Sequence, residues 1–169
     1  MGTTRQRIVE WHDPVEAATL GRGLAGADHL RKILAGEIPP PPIAATLGFD
    51  LVDIGDGFAA FALTPGEHHY NPLATVHGGV VCTLLDSAMS CAVHTTLAEG
   101  RAYLTAELKV NFVRPITRET PSPLRAEGRV IHSGRRLATS EGRLVDAAGR
   151  LCAHGVATCL LFEAPPEAS

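Results

Sequence analysis

Apolar and polar residues alternate with a period of two over much of the second half of the chain. Leu104, Ala106, Leu108, Val110 and Phe112 alternate with Thr105, Glu107, Lys109 and Asn111. That spacing predicts a strand with one face on a core and one face wet. Leu124–Ile131, Leu137–Val145 and Leu151–Phe162 read as further strands, parted by turn residues at Ser133-Gly134 and at Ala147-Ala148-Gly149. Upstream, Phe49–Ile54 and Phe58–Thr64 flank Gly55-Asp56-Gly57, the pattern of a hairpin. A loop rich in Pro, Gly, His and Asn runs from Pro65 to Val76.

Gly78–Ala98 follows a different rule. Val80, Val81, Leu84, Leu85, Ala88, Met89, Ala92 and Val93 cover almost the whole circumference of a helix. A helix apolar on all sides is buried. The element order is then β-β-α-β-β-β-β. The economical partner for one buried helix is a curved antiparallel sheet wrapped around it. This is the hotdog arrangement, an α+β fold with about six antiparallel strands around one long central helix.

The run Pro39–Pro42 divides the chain. Before it, Asp13-Pro14 places a cap before a proline at the first helical position, followed by Val15, Ala18 and Leu20. A second short helix is expected from about Ala27 to Ala35, with Leu30, Ile33 and Leu34 on one face and Gly36 as a stop. Consecutive prolines favour an extended segment. Residues 1–42 therefore read as a short helical, proline-rich arm, 43–163 as the hotdog domain and 164–169 as a tail. The arm's apolar residues point to docking on the body. Capping a tunnel and burying sheet surface both fit its pattern.

Composition narrows the classes. At 169 residues one domain is the default, and 45% apolar with 20% charged residues is ordinary for a globular chain. A formal charge of −3 argues against a phosphate-tracking surface, so no nucleic-acid partner is expected. The N-terminus has no apolar h-region, and Gly78–Ala98 holds Asp86, His94 and several hydroxyls, so neither a secretory signal nor a membrane span is expected. Cys82, Cys91, Cys152 and Cys159 lack C-x-x-C spacing and sit in apolar segments. They read as buried thiols of a cytoplasmic protein. His68, His69, His77 and His94 form no metal-ligand pattern, and no metal is expected.

Asp86 is the one carboxylate in the long apolar segment. A buried unpaired carboxylate is costly, so either neighbours and a wetter stripe satisfy it, or it serves a cleft as base or nucleophile. His77-Gly78-Gly79 opens the same helix. A helix N-terminus presents free N–H groups and a positive dipole end, which suits an oxyanion hole or merely a tight turn. Gly78 and Asp86 stand eight residues apart, about 12 Å along a helix. A carbonyl must sit roughly 3 Å from both groups. One chain is poorly placed to supply both, whereas a two-fold dimer with antiparallel helices makes two equivalent sites.

Asn71 to Asp86 fits N-x5-H-G-G-x6-D at every fixed position. The segment resembles the signature of the hotdog-fold thioesterase superfamily, in particular the phenylacetate-degradation (PaaI-like) acyl-CoA thioesterases. The resemblance runs from about Ile43 to Phe162 and includes the Asn111-Phe-Val-Arg-Pro115 strand end and the turn Ser133-Gly134-Arg135-Arg136. Ile116–Pro123 is longer and richer in proline than its usual counterpart, and the arm lies outside the match.

The resemblance implies hydrolysis of an acyl-coenzyme A to free acid and coenzyme A, with no cofactor, coenzyme A being part of the substrate. Asp86 matches the carboxylate that activates water or attacks the thioester. Gly78 matches the N–H that polarises the carbonyl, and Asn71 a residue that positions the carbonyl or the water. His77 resembles an orienting residue at the helix start. Thr105, on the polar face of the next strand, matches a hydroxyl that holds the water. Gly79 lets coenzyme A approach the backbone, and Ser133, Gly134, Arg135 and Arg136 match a segment that contacts it. Arginine pairing with its phosphates is physically sensible. Arg114 and Arg118 are weaker candidates. Phe112 fits either the pantetheine arm or, preferably, the core face. The family implies a homo-oligomer, a dimer or dimer of dimers, with sites across an interface.

Other chemistries fit less well. Hydratases of this fold carry an Asp where Pro72 stands, and no G-x-S-x-G elbow is present. Cys82 and Cys91 have no activating base beside them in sequence. A non-catalytic acyl-CoA-binding or regulatory module is the alternative within the fold.

Overall fold

The computed structural model describes residues 2–164; apart from Ala164, the tail expected over 164–169 lies outside the described residues. Three short helices open the chain, α1 (Pro14–Leu20), α2 (Gly26–Leu34) and α3 (Pro42–Leu47). The hairpin β1 (Phe49–Gly55) and β2 (Phe58–Leu63) follows, then a 3-10 turn at Glu67–His69 and the central helix α4 (Gly78–His94). The chain finishes with β3 (Arg101–Phe112), β4 (Leu124–Ser133), β5 (Leu137–Val145) and β6 (Leu151–Glu163). The six strands form one antiparallel sheet ordered β1-β2-β4-β5-β6-β3, and every strand touches α4. The β-β-α-β-β-β-β order and the hotdog architecture expected from the pattern are the ones observed.

Leu84, Leu85, Ala88, Met89, Ala92 and Val93 of α4 lose all solvent exposure against the sheet. Two paired glycines let the backbones come this close. A Cβ on Gly128 would overlap the Ala88 carbonyl, and one on Gly142 would lie 2.8 Å from Met89 Cγ.

The arm docks on the body. Asp13 caps α1 by accepting the Val15 N–H at 2.7 Å. α2 packs on β1 and α4, with Leu30 buried and Ile38 buried just beyond it. The Gly26 N–H donates to the Leu97 carbonyl at 3.0 Å, and a Cβ there would collide with the His94 carbonyl. Only a glycine lets α2 approach the end of α4 so closely.

Four expectations are corrected. The proline run is extended only through Pro41; Pro42 starts α3, an unexpected helix that ends on Gly48 at φ +70°. The central helix stops at His94, because the Thr95 and Thr96 hydroxyls turn back to the Ala92 and Val93 carbonyls at 2.7 and 2.8 Å. α4 is not buried on all sides either. Gly79, Thr83, Asp86, Ser87, Cys91 and His94 form a stripe that keeps solvent exposure. Finally, β3 does not alternate cleanly. Its register with β6 shifts between Thr105 and Glu107, leaving Ala106 as a bulge. Leu104 consequently faces solvent at 63% exposure, while Thr105 turns inward toward α4.

Candidate active site

Asp86 sits midway along α4 on the open stripe, half-buried. Its Oδ1 accepts from Thr105 Oγ1 at 2.9 Å, and Oδ2 has no hydrogen bond among the described residues. The carboxylate thus lies on a wetter stripe of the helix and also lines a cavity. Thr105 makes the contact because the bulge removes it from the Glu107 and Lys109 face on which the simple alternation had put it.

Neighbouring thiols are unsuited to attack. Burial, aided by the Asp86 charge, raises Cys82 above its ordinary value. Burial pushes Cys91 up to about 12. A thiol held neutral is a poor nucleophile.

The start of α4 is pinned from behind. His77 is the N-cap, and its Nδ1 accepts the Gly79 N–H at 2.9 Å. The Val80 N–H bonds the His77 carbonyl at 3.0 Å. Gly78 N–H alone of these donors has no partner among the described residues. The His77 N–H donates to the His69 carbonyl at 2.8 Å. Buried His69 in turn accepts from Gly66 N–H at 3.0 Å and donates from Nε2 to the Leu47 carbonyl at 2.8 Å. His69 is thereby used for structure.

Asn71 organises the loop ahead of this helix. Its Oδ1 accepts from the Leu73 and Thr75 N–H groups at 2.9 and 3.2 Å, and its Nδ2 donates to Thr75 Oγ1 at 2.9 Å. One Nδ2 hydrogen is left over. Phe112 keeps the side of β3 shared by Leu108 and Val110, but at the strand's end it is 58% exposed rather than buried in the core, with its ring over Gly78, where a Cβ would lie 3.1 Å from Cζ.

These residues occupy two cavities. Asn71, Gly78, Phe112 and Arg114 line one of about 420 Å³. Asp86 lines another of about 480 Å³ on the arm side of α4. Within one chain the free helix N–H and the free carboxylate oxygen therefore face different spaces. Ser133, Gly134 and Arg135 line a third, shallower cavity with Thr96 and Arg101, and Arg136 is exposed beside it. Arg101 Nη2 donates to the Arg135 carbonyl at 2.8 Å and holds this turn. The turn lies at the C-terminal end of the 17-residue α4, about 25 Å from Gly78 along the helix axis. One chain does not bring it to either half of the candidate site. Arg114, which sequence reasoning had ranked low, is the arginine beside Gly78, and Arg118 is exposed outside the cavities described here.

Sequence reasoning missed the far wall of the Asp86 cavity. Tyr103 on the inner face of β3 stands beside His94, their ring centroids 5.3 Å apart, and lines the cavity with Ser90 and Cys91. His29 of α2 meets His94 of α4, Nδ1 to Nε2, at 3.2 Å. The advance signs were polar residues at helical spacing after Asp86, at Ser87, Ser90 and His94, and the apolar residues of the arm, for which capping of a tunnel was one of the two fits. Among the described residues no helix is long and apolar enough to cross a membrane.

Comparison with known proteins agrees with this architecture. Residues 73–153 match the model of the thioesterase superfamily. A candidate esterase of Saccharolobus solfataricus is 31% identical over 116 residues, 69% of this chain and 75% of that one. The acyl-coenzyme A thioesterase PaaI of Escherichia coli is 27% identical over 104 residues, 61% of this chain and 70% of that one. A crystal structure of a candidate thioesterase related to phenylacetic acid degradation, from Ralstonia eutropha, superposes with a TM-score of 0.69 at 30% identity, covering 77% of this chain and 97% of that one. With an Asp86-bearing helix wrapped by six antiparallel strands, and with relatives at this identity and coverage, the chain belongs to the thioesterase superfamily as a PaaI-like hotdog thioester hydrolase.

Proposed function

We propose that the substrate is an acyl-coenzyme A and that Asp86 is the reacting carboxylate. The observation that carries this reading is the free Oδ2 of a carboxylate steadied by Thr105 on the open side of an otherwise apolar helix. The Gly78 N–H donates to the thioester oxygen and stabilises the negative charge that develops there. As a base, Asp86 takes a proton from water while the water oxygen bonds the carbonyl carbon; as a nucleophile, it attacks that carbon itself, and water then hydrolyses the acyl–Asp86 anhydride and regenerates the carboxylate. In either route the C–S bond breaks, the thiolate receives a proton that comes from the water, and free acid and coenzyme A leave. Asn71 steadies the loop and offers its remaining N–H to the carbonyl or the water.

The acting unit is a homodimer. β3 is an edge strand that a second β3 would pair, and the two reactive groups face separate cavities in one chain. Antiparallel central helices would bring Asp86 of one protomer to Gly78 of the other. They would also bring each Ser133–Arg136 turn toward the opposite helix start, where Arg135 and Arg136 meet the coenzyme A phosphates. Oligomeric growth to a dimer of dimers and a cytoplasmic location remain part of this reading.

The test is steady-state release of coenzyme A from a panel of acyl-CoAs by wild type and Asp86→Ala. The expected loss in kcat is roughly 10²-fold or more. Binding of acyl-CoA without release by wild type would turn the reading to a binding module.

A further inference from the structure

The cavity beside Asp86 runs along α4. Asp86 and Ser87 line it first, and His94 lines it two turns later, about 12 Å away along the helix. The helix supplies only one wall. The facing wall comes from the arm, with Ala18 of α1, Ile33 of α2 and the Pro39–Pro42 segment. Phe49 and Phe61 of the hairpin close the side, their rings packed edge to face at 5.7 Å. At the far end Tyr103 and the His29–His94 pair join the arm to α4.

The chemistry of this lining selects a ligand. Asp86 is the one formally charged side chain among the described residues that line the cavity apart from its two histidines. Both histidines are held toward the neutral form by burial. No cation is present to receive a phosphate or a second carboxylate, and Asp86 would repel either. The nucleotide end of coenzyme A therefore has no place here. An apolar group does, because the arm, the hairpin and the prolines offer it a continuous hydrocarbon surface. A volume of about 480 Å³ is far more than an acetyl group fills.

We infer that the N-terminal arm builds the acyl pocket of its own protomer's Asp86, and that the pocket takes an uncharged apolar acyl group, a medium chain or an aryl-alkyl group, extending toward the His29–His94 pair. This rests on Asp86 being the reacting carboxylate. The arm is then a specificity element: its α1 and α2 residues set how long and how wide the acyl group is.

The test uses the full-length chain with acetyl-, octanoyl-, phenylacetyl- and succinyl-CoA, comparing wild type with Ala18→Phe. Ala18 lies on the arm's exposed side of the pocket, away from the core, and phenylalanine there narrows the space. Ile33→Trp gives an independent blockage from α2. Wild type should favour octanoyl or phenylacetyl over acetyl and succinyl by at least about 100-fold in kcat/KM, since each well-packed methylene is worth 10-fold or more. Each arm substitution should cut the octanoyl-to-acetyl ratio at least tenfold. Equal rates for acetyl and octanoyl, or a ratio unmoved by either substitution in folded protein, would overturn the inference.

Calorimetric binding of octanamide, a neutral mimic of the acyl end, separates the two readings. Binding that the arm substitutions abolish, in a protein that hydrolyses nothing, upholds the pocket and sinks the catalytic reading. Hydrolysis without octanamide binding and without chain-length preference does the reverse.

Discussion

On the sheet side of α4, Leu84, Leu85, Ala88 and Met89 have no solvent exposure, whereas Asp86, Ser87 and Cys91 on the other side stay partly open. The first set packs against all the inner strands and specifies the fold. The second set holds a carboxylate, a hydroxyl and a thiol beside a cavity roofed by the arm. One helix thus keeps its charged group out of the sheet core, where an unpaired carboxylate would be costly. The lesson is that overall apolarity hid a division of labour at a spacing of two or three residues.

Substitutions on the two sides should therefore separate activity from stability. Asp86→Ala should remove roughly 10²-fold or more of kcat while leaving the thermal midpoint close to wild type, read by steady-state kinetics and a melt on the same sample. Leu85→Ala should do the opposite. It should cost about 2–5 kcal/mol in denaturant unfolding, with kcat per folded molecule largely kept. If Leu85→Ala instead abolished kcat in fully folded protein, the division would be wrong.

Gly128→Ala attacks the sheet side from the strand. Its Cβ would meet the Ala88 carbonyl, a backbone atom that cannot rotate away. A loss of about 1–3 kcal/mol is expected from the forced separation. Thr105→Val probes the open side more gently. It keeps the shape and deletes the donor to Asp86, so kcat should fall about tenfold, the size of a lost hydrogen bond to a charged group, with KM little changed.

The smallest effect concerns pH. Burial first, and then His29, hold His94 down to about 4 from its ordinary 6.5. Burial also lowers His29. Around this pair stand Tyr103 on β3, whose ring centroid is 5.3 Å from that of His94, and the Gly26 backbone at the start of α2. Both histidines charge more readily in the unfolded chain. Their contribution is complete above about pH 6.5 and declines as pH falls toward 4. Doubly protonated rings would also set two donors against each other at a contact of 3.2 Å. Stability measured between these limits should fall with acid, and His94→Phe should flatten part of that slope.

Sequence pattern revealed the fold almost whole because strand alternation, hairpin turns and the long apolar helix are strong local signals. Its failures have physical causes. Ala106 is small enough for either face, so nothing marked it as a bulge, and Leu104 and Thr105 were placed on the wrong sides in consequence. The prolines that predict extension also start a helix when they stand at its first position, which concealed α3. Serine, cysteine and glycine count as neutral on a helix, so the open stripe looked closed. The motif from Asn71 to Asp86 marks residues of one helix and its entry loop, but not that they line two separate cavities. The arm's wall of the Asp86 cavity depends on tertiary contacts between α1, α2 and α4, which no local pattern encodes.

The account's central claim is that the Asp86 half and the Gly78 half of a site come from different protomers. Co-expression of Asp86→Ala with Asn71→Ala under two affinity tags, followed by purification of the mixed dimer, tests it directly. Each parent should be nearly inactive. The mixed dimer carries one wholly intact site and one doubly altered site, so it should recover roughly half of wild-type kcat. A mixed dimer no more active than its parents would contradict the claim, and so would full activity in a monomer.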